Sequence, residues 1–306
     1  MGTERGKSSL DEAIHIINEQ VNKEPQTVFA LVGPTASGKT NLALALAEKF
    51  SIEIVSTDSR LLYRGMDIGT AKPNKKEQQI CPHHLIDILN PDQIFSAAQF
   101  QENALAVIGD IFKRDHLPLL VGGTMLYIDA VLYNYQWPEE IITEETKQQW
   151  RQKSLSELQK QALALYPEMG DFIDIKNPVR LQRVLMHYDV TGNWLWEEQK
   201  KGKPLFPTVI MGLNPDREIL RPRIIKRVND QWQSGLVAEV QALVEQYGPN
   251  AEAFSAIGYR QVIACLQGKC TEAQAQEEII KATNAYAKRQ MTWWKRNKDI
   301  IWLESV

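Results

Sequence analysis

Eight consecutive residues near the start of the chain are of the types that bind a phosphate group. They run Gly33-Pro34-Thr35-Ala36-Ser37-Gly38-Lys39-Thr40 and fit the pattern G-x-x-x-x-G-K-[ST] of a P-loop. The glycines let backbone N–H groups converge on an anion, and Lys39 adds a full positive charge. The Thr40 hydroxyl is suited to hold a Mg²⁺ ion on the phosphates. The spacing therefore predicts a site for a di- or triphosphate with Mg²⁺.

The sequence on either side of this pattern supplies the elements that a P-loop needs. The β-prone run 27–32 precedes it, and strong helix formers follow over 41–50. A Gly-rich turn that binds nothing is the alternative interpretation. The complete pattern between a strand and a helix favours a binding site instead.

An acidic residue follows the next predicted strand. Asp58 comes shortly after the run 52–55, and in an open α/β sheet the loops after parallel strands line the ligand crevice. We therefore expect Asp58 to face the phosphate site, where a carboxylate can bind Mg²⁺ through water, act as a general base or cap the next helix. The Gly-punctuated loop 61–73 comes next, and a loop of this length is more often functional than filler.

The predicted apolar strand over 117–121 ends in Gly122-Gly123-Thr124. Hydrolases of the P-loop class usually hold Mg²⁺ with an Asp at the end of such a strand. The departure disfavours a motor or a GTPase. It favours a transferase whose leaving group is the bound diphosphate.

The rest of the chain predicts further strands over 83–89 and 208–213, and helices that begin at the caps Ser96, Asn177 and Thr271. Adjacent side chains of an extended strand point in different directions, so the two histidines of the first run make poor partners in one metal site. The fold class that follows is α/β, a P-loop NTPase-like parallel sheet flanked by helices.

The pattern also divides the chain into segments. Residues 1–25 form an N-terminal extension with apolar residues at helical spacing. Residues 26–132 and 204–306 form the P-loop core with the C-terminal helices. Residues 133–203 are polar and helix-prone, and we interpret them as a small helical insertion. The alternative for the insertion is a lid that only covers the active site.

Basic residues are concentrated in two later helices. Arg217, Arg223 and Arg227 follow the strand over 208–213 and can clamp the charge that develops on a departing diphosphate. The last helix interleaves cations with aromatic residues over 281–296, a pattern that suits a nucleic-acid backbone with stacked bases. The alternative is a helix whose tryptophans pack inward and whose charges are solvated.

The composition is that of an ordinary soluble globular protein. The 306 residues are 43% hydrophobic and 24% charged, and we expect neither a membrane span nor a signal sequence. Cys81, Cys265 and Cys270 show no paired metal spacing, which favours a reduced, cytoplasmic setting. The net charge of −3 does not by itself indicate a nucleic-acid partner. A monomer is the default expectation.

Taken together, the motifs resemble those of the bacterial tRNA dimethylallyltransferases, also called tRNA isopentenyltransferases. The matching stretches are GPTASGKT, STDSRLLYRGMDIGTAKP, HHLIDIL, VGGTMLY, NPVRLQR, DREILRPRI, SAIGYRQ and YAKRQMTWW. The P-loop alone is shared by many families. The combination of the second, fourth and last stretches is specific, and the resemblance runs from about Phe29 to Arg296.

The resemblance implies a reaction. A dimethylallyl group passes from dimethylallyl diphosphate to the exocyclic N6 of the adenosine 3′ of the anticodon, position 37 of the tRNA, with Mg²⁺ as cofactor. Asp58 would bind that amine and take its proton, with Thr124 beside it as a hydrogen-bonding residue. Lys39 and an arginine, of which Arg223 is one candidate, would stabilise the leaving diphosphate.

The resemblance also implies two sets of contacts. The diphosphate set is Gly33, Thr35, Ala36, Ser37, Gly38, Lys39, Thr40, Arg217, Arg223 and Arg227, with Mg²⁺ at Thr40. The tRNA set is Asp58, Ser59, Arg60, Leu61, Gln182, Arg183, Ser255, Gly258, Tyr259, Arg260, Lys288, Arg289, Gln290, Thr292, Trp293 and Lys295. The insertion would contact the anticodon stem-loop, and the target base would leave its stack to reach the site.

Two other functions remain open from the sequence, and a third is disfavoured. An adenylate isopentenyltransferase acting on a free nucleotide would share the catalytic half, but it would not need residues 133–203 or the basic last helix. A nucleotide-binding or kinase-like protein would share only the P-loop. A tRNA-binding module without activity would not need Lys39.

Overall fold

The structure is a computed structural model that describes residues 8–138 and 142–304. The chain forms two compact units: a core unit of Met1–Leu132 with Pro204–Val306, and an insertion of Tyr133–Lys203. The insertion spans the same residues as the segment that the sequence pattern sets apart. Among the described residues, no helix combines the length and the apolar character needed to cross a lipid bilayer.

The core unit is built on a six-stranded sheet. Its strands are β1 (Val28–Val32), β2 (Ile52–Ser56), β3 (His83–His84), β4 (Leu117–Val121), β7 (Thr208–Leu213) and β8 (Ile300–Leu303). Their order is β3-β2-β4-β1-β7-β8, and every neighbouring pair is parallel. The α/β prediction is confirmed. A parallel sheet is buried on both faces, which is why β1 and β2 are buried along their whole length.

The helices of the core unit cover both faces of this sheet. They are α1 (Ser9–Lys23), α2 (Lys39–Ala47), α3 (Lys75–Ile80), α4 (Ala97–Lys113), α5 (Met125–Leu132), α11 (Arg217–Gln233), α12 (Leu236–Tyr247), α13 (Tyr259–Leu266) and α14 (Glu272–Trp294). Alternate residues of β1 serve the two layers, because strand side chains alternate between faces. Val28 and Val32 pack with α4, α5 and α12–α14, whereas Phe29 and Leu31 pack with α1 and α2.

The caps predicted for α4 and α14 are present. Ser96 and Thr271 each accept a hydrogen bond from the third backbone N–H of the helix, and both helices have the reciprocal glutamine bond. The N-terminal segment also forms the expected amphipathic helix, α1, which buries Ala13 and Ile17 completely in the core. Residues 1–7 lie outside the described part of the chain.

The sheet differs from the sequence prediction at one edge. The strand predicted over 83–89 is regular only at His83–His84, because Leu85 and Asp87 have positive φ values of 59° and 54°. Non-glycine residues with that backbone conformation interrupt a strand. At the other edge, β8 was not predicted, and it adds a sixth strand beside β7.

The insertion has its own small core. Its elements are β5 (Tyr135–Gln136), α6 (Glu144–Arg151), α7 (Leu155–Leu165), α8 (Met169–Phe172), α9 (Pro178–Thr191), α10 (Leu195–Glu198) and β6 (Lys200–Lys201). As predicted, Asn177 caps α9 and Gly192 ends it with a φ of 75°. Rings stack from Tyr188 through Trp194 to Trp196, with centroids 4.1 and 4.9 Å apart.

Candidate functional site

The P-loop joins the carboxyl end of β1 to the first turn of α2. Gly33 and Gly38 have φ values of 147° and 98°, which favour glycine. A Cβ at Gly33 would also lie 2.7 Å from the Leu213 carbonyl oxygen. No side chain caps α2, so the N–H groups of its first turn are left for an anion.

Two helices that are far from the P-loop in sequence form hydrogen bonds with it. The side-chain oxygen of Gln290, on α14, accepts a hydrogen bond from the Thr35 backbone N–H at 2.9 Å. Arg227, on α11, donates to the Thr35 hydroxyl at 3.2 Å. The Gln290 amide nitrogen donates to the Gly123 carbonyl at 2.9 Å. One buried glutamine therefore joins the P-loop to the Gly-Gly-Thr turn after β4.

Lys39 lies inside this arrangement. Its ammonium group donates to the carbonyls of Gly33 and Pro34 at 2.9 and 2.8 Å. Burial, and then the nearby Arg227 charge, lower the pKa of Lys39 to about 7, while Asp58 acts in the opposite direction. The pKa of Arg227 is lowered by burial as well, against the pull of Asp58. Two cations and one carboxylate therefore share one desolvated space, which favours the binding of an anion.

Asp58 sits in the turn after β2, as expected. Its carboxylate accepts the Arg60 backbone N–H at 2.9 Å, which sets the side chain within its own turn. The Thr124 hydroxyl accepts the Ser59 backbone N–H at 3.0 Å. Asp58 and Thr124 are thereby fixed on two turns that lie against each other at the carboxyl edge of the sheet.

The two glycines before Thr124 allow this close approach. A Cβ at Gly122 would lie 2.3 Å from the Thr57 hydroxyl and 2.9 Å from the Asp58 backbone nitrogen. A Cβ at Gly123 would lie 2.1 Å from the Gln290 amide nitrogen. The two glycines of the Gly-Gly-Thr turn are therefore required for packing at the site. The turn also lacks the Asp that holds Mg²⁺ in hydrolases of the P-loop class.

These elements enclose a cavity of about 580 Å³. Most of the residues expected at the diphosphate line it: Thr35, Ala36, Ser37, Gly38, Lys39, Thr40, Arg223 and Arg227. Asp58, Leu61 and Gly123 line the same cavity. The Ser37 hydroxyl is buried and has no hydrogen-bond partner among the residues that the structure describes. This hydroxyl is therefore available to donate a hydrogen bond to a bound ligand.

The donor set suits Mg²⁺ held on a bound phosphate. The Thr40 hydroxyl and the Asp58 carboxylate are oxygen donors on one cavity. No group of three or more His, Cys, Asp or Glu side chains arranged for a metal occurs in the described ranges. Because Mg²⁺ is usually bound through one or two protein oxygens, substrate phosphates and water, this sparse set fits it.

Four sequence predictions need correction, and the first is Gly258, which is buried in the turn before α13. Arg217 lies outside the P-loop cavity, on a separate groove beside Lys288 and Lys295. Tyr259 is fully buried, and its hydroxyl donates to Glu239 at 2.5 Å. Gln290 is 1% exposed, with both ends of its amide used inside the core unit. Neither of the last two has surface to offer a tRNA, because Tyr259 at the start of α13 and Gln290 on α14 both point into the core.

The exposed residues of the expected tRNA set include Ser255, Arg260, Lys288, Arg289, Thr292 and Lys295. Arg60 donates to the Ser255 hydroxyl at 3.2 Å, so the turn after β2 meets the turn at Ser255–Gly258 that precedes α13. Arg260 is exposed on the first turn of α13. Lys288, Thr292 and Lys295 line the groove of about 700 Å³ that also contains Arg217 and Arg221.

Two further members of the set make contacts within the protein. The Trp293 indole donates to the Asp129 carboxylate at 3.0 Å, and the Arg289 guanidinium lies 5.7 Å from the Tyr286 ring centre. In the insertion, the Gln182 amide donates to the Trp150 carbonyl at 3.0 Å. Arg183 is on the same helix. Their contacts with tRNA stay predictions.

Sequence reasoning missed Tyr286 as part of the site. Its ring lines the cavity, and its hydroxyl donates to the Gly123 carbonyl at 3.2 Å. Burial, then the nearby Asp58 charge, raise the pKa of Tyr286 to about 12, so it stays a hydrogen-bond donor at neutral pH. The available signal was spacing, because Tyr286 and Gln290 are four residues apart on one helix and share a face.

Comparison with known proteins decides the family. The sequence model of the IPP transferase family matches residues 61–297. The chain belongs to the IPP transferase family. It is 38% identical over 290 residues to the tRNA dimethylallyltransferase of Bacillus subtilis, covering 93% of this chain and 92% of that relative. It is 39% identical over 286 residues to the enzyme of the same name from Staphylococcus carnosus, covering 90% of each chain.

Solved structures agree with this family. The tRNA isopentenylpyrophosphate transferase of Bacillus halodurans superposes with a TM-score of 0.69 at 33% identity, covering 90% of this chain and 89% of that one. A eukaryotic dimethylallyltransferase acting on tRNA gives a TM-score of 0.77 at 26% identity, covering 92% and 74%. The resemblance noted in the sequence motifs is confirmed.

Proposed function

We propose that this protein transfers a dimethylallyl group from dimethylallyl diphosphate to N6 of adenosine 37 in tRNA and releases diphosphate. The observation that carries the proposal is the shared cavity of the P-loop, Lys39, Arg227 and Asp58 in a member of the IPP transferase family. A phosphate-binding loop next to a carboxylate that lies outside it suits a reaction with an anionic leaving group and a proton to remove.

The leaving group is held by the P-loop. The backbone N–H groups at the start of α2, the Ser37 hydroxyl, Lys39, Arg223 and Arg227 are the donors for the diphosphate. As the allylic C–O bond breaks, its electron pair passes to the diphosphate oxygen. Donors fixed before the reaction stabilise that growing charge most strongly in a desolvated cavity.

Asp58 acts on the other substrate. The lone pair of an exocyclic adenine amine is delocalised into the ring, so the amine is a weak nucleophile. A carboxylate that accepts a hydrogen bond from N6 orients it, and then takes its proton as the new C–N bond forms. Thr124 is proposed as the hydrogen-bonding residue beside the reacting groups, and its hydroxyl accepts the backbone N–H of Ser59, the residue next to Asp58.

Mg²⁺ is part of the proposal. When bound, it would neutralise charge on the diphosphate, with the Thr40 hydroxyl as its protein ligand. The protein is proposed to work as a monomer, with the insertion contacting the anticodon stem-loop. Extrusion of the adenine from its stack would bring N6 to Asp58.

The test measures transfer of labelled dimethylallyl from its diphosphate, with Mg²⁺, to tRNA and separately to AMP. We expect label in the tRNA only. We also expect Asp58→Asn to bind tRNA as the unchanged protein does, but to lose roughly 10²-fold or more in turnover, because the proton acceptor is gone. Asp230→Asn is the matched control, since Asp230 is an exposed aspartate paired with Lys226.

Other outcomes decide between the alternatives. Label in AMP alone would assign the protein to the adenylate isopentenyltransferases. Label in neither substrate, with ATP consumed instead, would refute the proposal. Unchanged turnover in Asp58→Asn would remove this residue from the mechanism.

A further inference from the structure

The loop over residues 65–73 folds around a carboxylate from another part of the chain. The backbone N–H groups of Asp67 and Ile68 donate to one oxygen of Glu239, at 3.0 and 2.7 Å. The N–H of Gly69 donates to the other oxygen at 3.1 Å, and the Tyr259 hydroxyl donates to that same oxygen at 2.5 Å. Three successive backbone N–H groups that converge in this way form an anion-binding nest.

The nest is filled by the protein itself. Glu239 comes from α12, so the anion in the 65–73 loop is a fixed side chain. Tyr259 is fully buried below the loop, and a Cβ at Gly69 would lie 2.5 Å from its ring. The glycine is required for this close approach, and the carboxylate supplies the acceptor that the three N–H groups need.

Two more contacts fasten the same loop. Gln231 donates from its amide to the carbonyls of Ile68 and Gly69, at 2.8 and 3.0 Å. The Lys72 ammonium, 3% exposed, donates to the Tyr63 carbonyl at 2.7 Å and pairs with Asp67 and Asp87. The loop therefore has a defined conformation although it contains no helix or strand.

This fixed loop is a wall of the reaction cavity. Thr70, Ala71 and Pro73, which closely follow the nest, line the same cavity as Lys39 and Asp58. Gln231 lies one helical turn beyond Arg227 on α11, so the helix that fastens the P-loop also fastens this wall. A shift of the nest would thus move the wall relative to the diphosphate donors.

We propose that Glu239 is a positioning residue of the transfer reaction, which fills the nest at Asp67–Gly69 and thereby sets the wall of the dimethylallyl diphosphate cavity. The proposal rests on the function proposed above. Glu239 does not line the cavity, so it acts through residues 70–73 and not by contact with the substrate. Its loss should impair use of the diphosphate substrate and leave the tRNA surface intact.

The test compares Glu239→Ala with Glu239→Gln and with Glu245→Ala, a control on the same helix whose exposed side chain accepts a hydrogen bond from Gln241. We expect Glu239→Ala to raise KM for dimethylallyl diphosphate about tenfold, because small displacements of a site wall are costly. Affinity for tRNA should stay within about twofold. Glu239→Gln should have a smaller effect, since its amide oxygen still accepts in the nest.

Formate tests whether an anion in the nest is what sets the cavity wall, and the discriminating readout is KM for dimethylallyl diphosphate. A small carboxylate can enter the space left in Glu239→Ala and accept the same three N–H groups. We expect sodium formate, and not sodium chloride at equal ionic strength, to restore KM. The amides of residues 67–69 should exchange hydrogen faster in Glu239→Ala and slow again with formate.

Two results would overturn the proposal: an unchanged KM in Glu239→Ala despite faster amide exchange, or an equal loss of diphosphate use and tRNA affinity that formate does not reverse. Pyrophosphate binding, measured by calorimetry, keeps the test independent of transfer. If the unchanged protein transfers no label, the proposed function fails. Weaker pyrophosphate binding in Glu239→Ala would still support the role of Glu239 at the cavity.

Discussion

At the scale of single residues, the environment of the Lys39 amine disfavours its protonated, charged form. Burial and Arg227 bring its pKa down to about 7, and Asp58 compensates for only part of that shift. Active sites commonly keep such a cost because a ligand relieves it on binding. A diphosphate would do so here by supplying negative charge between two cations.

This environment predicts that Lys39 destabilises the fold although the reaction needs it. The folded pKa lies below the unfolded value of 10.5, so charged Lys39 destabilises the fold below about pH 7. That cost disappears as the pH rises from 7 towards 10.5. Between pH 6 and pH 9, the free energy of unfolding of the wild-type protein should therefore rise relative to that of Lys39→Met, by on the order of 3 kcal/mol.

Urea unfolding at both pH values measures this difference. Lys226→Met is the control, because Lys226 is exposed and paired with Asp230. A difference between the unchanged protein and Lys39→Met that does not depend on pH would show that the amine is not desolvated. Lys39→Met should also lose dimethylallyl transfer while it retains tRNA binding.

At the scale of elements, one buried carboxylate joins β2 to β3 and to the turn between α4 and β4, at the end of the sheet opposite the site. Glu53, on β2, accepts two hydrogen bonds from Arg114 at 2.9 and 2.8 Å. It also meets His84 of β3 at 2.6 Å and His116 at 2.8 Å. Of the two adjacent histidines His83 and His84, the second is therefore a structural residue that pairs with a carboxylate.

The cluster predicts a stability change with a defined pH range. Arg114 is the largest cause that lowers the pKa of Glu53 to about 2. A carboxylate with a lowered pKa stabilises the fold above its unfolded value of 4.5, and this stabilisation is lost as the pH falls towards 2. Glu53→Gln should lower the free energy of unfolding by about 3 kcal/mol at pH 7.

Chemical denaturation between pH 3 and pH 7 checks this expectation. The gap between the unchanged protein and Glu53→Gln should narrow below pH 4.5. Glu102→Gln, at an exposed position on α4, is the control. A gap of constant size across this range would mean that the substitution acts through packing and not through the charge.

At the scale of the whole molecule, the net charge of −3 hides an uneven distribution. Arg217, Arg221, Lys288 and Lys295 line one groove of the core unit. Within the described part of the chain, none of the four forms a salt bridge with a carboxylate. Unpaired cations along a groove suit a phosphate backbone, because neutralising each phosphate releases a counterion from the nucleic acid.

Salt dependence of tRNA binding tests the role of this groove. Replacing Lys288 and Lys295 together with Gln should weaken binding at low salt. It should also reduce the slope of log K against log salt by about 1.5, since each phosphate that a lysine neutralises adds roughly 0.7–0.9 to that slope. Lys281→Gln is the control on the same helix, because Lys281 is paired with Glu278. An unchanged slope in the double variant would place the tRNA backbone elsewhere.

Short-range patterns in the sequence were sufficient for much of this molecule. The P-loop, its flanking strand and helix, the caps at Ser96 and Asn177 and the position of Asp58 after β2 all depend on residues within a few positions of each other. Backbone geometry relates such neighbours directly, through the helical repeat, the alternation of a strand and the φ of glycine. The residue types at the site and the α/β class could therefore be predicted without a structure.

Only the tertiary structure decided which side chains turn inward. Gln290 reaches Thr35 across 255 positions of sequence, and Glu239 reaches Ile68 across 171. On α14 the same run of cations and aromatic residues contains buried Gln290 and Trp294 beside exposed Lys288. Similarly, Arg217 and Arg227 belong to one helix yet line different cavities. Which face of a helix is buried depends on the elements that pack against it, and local sequence does not encode those partners.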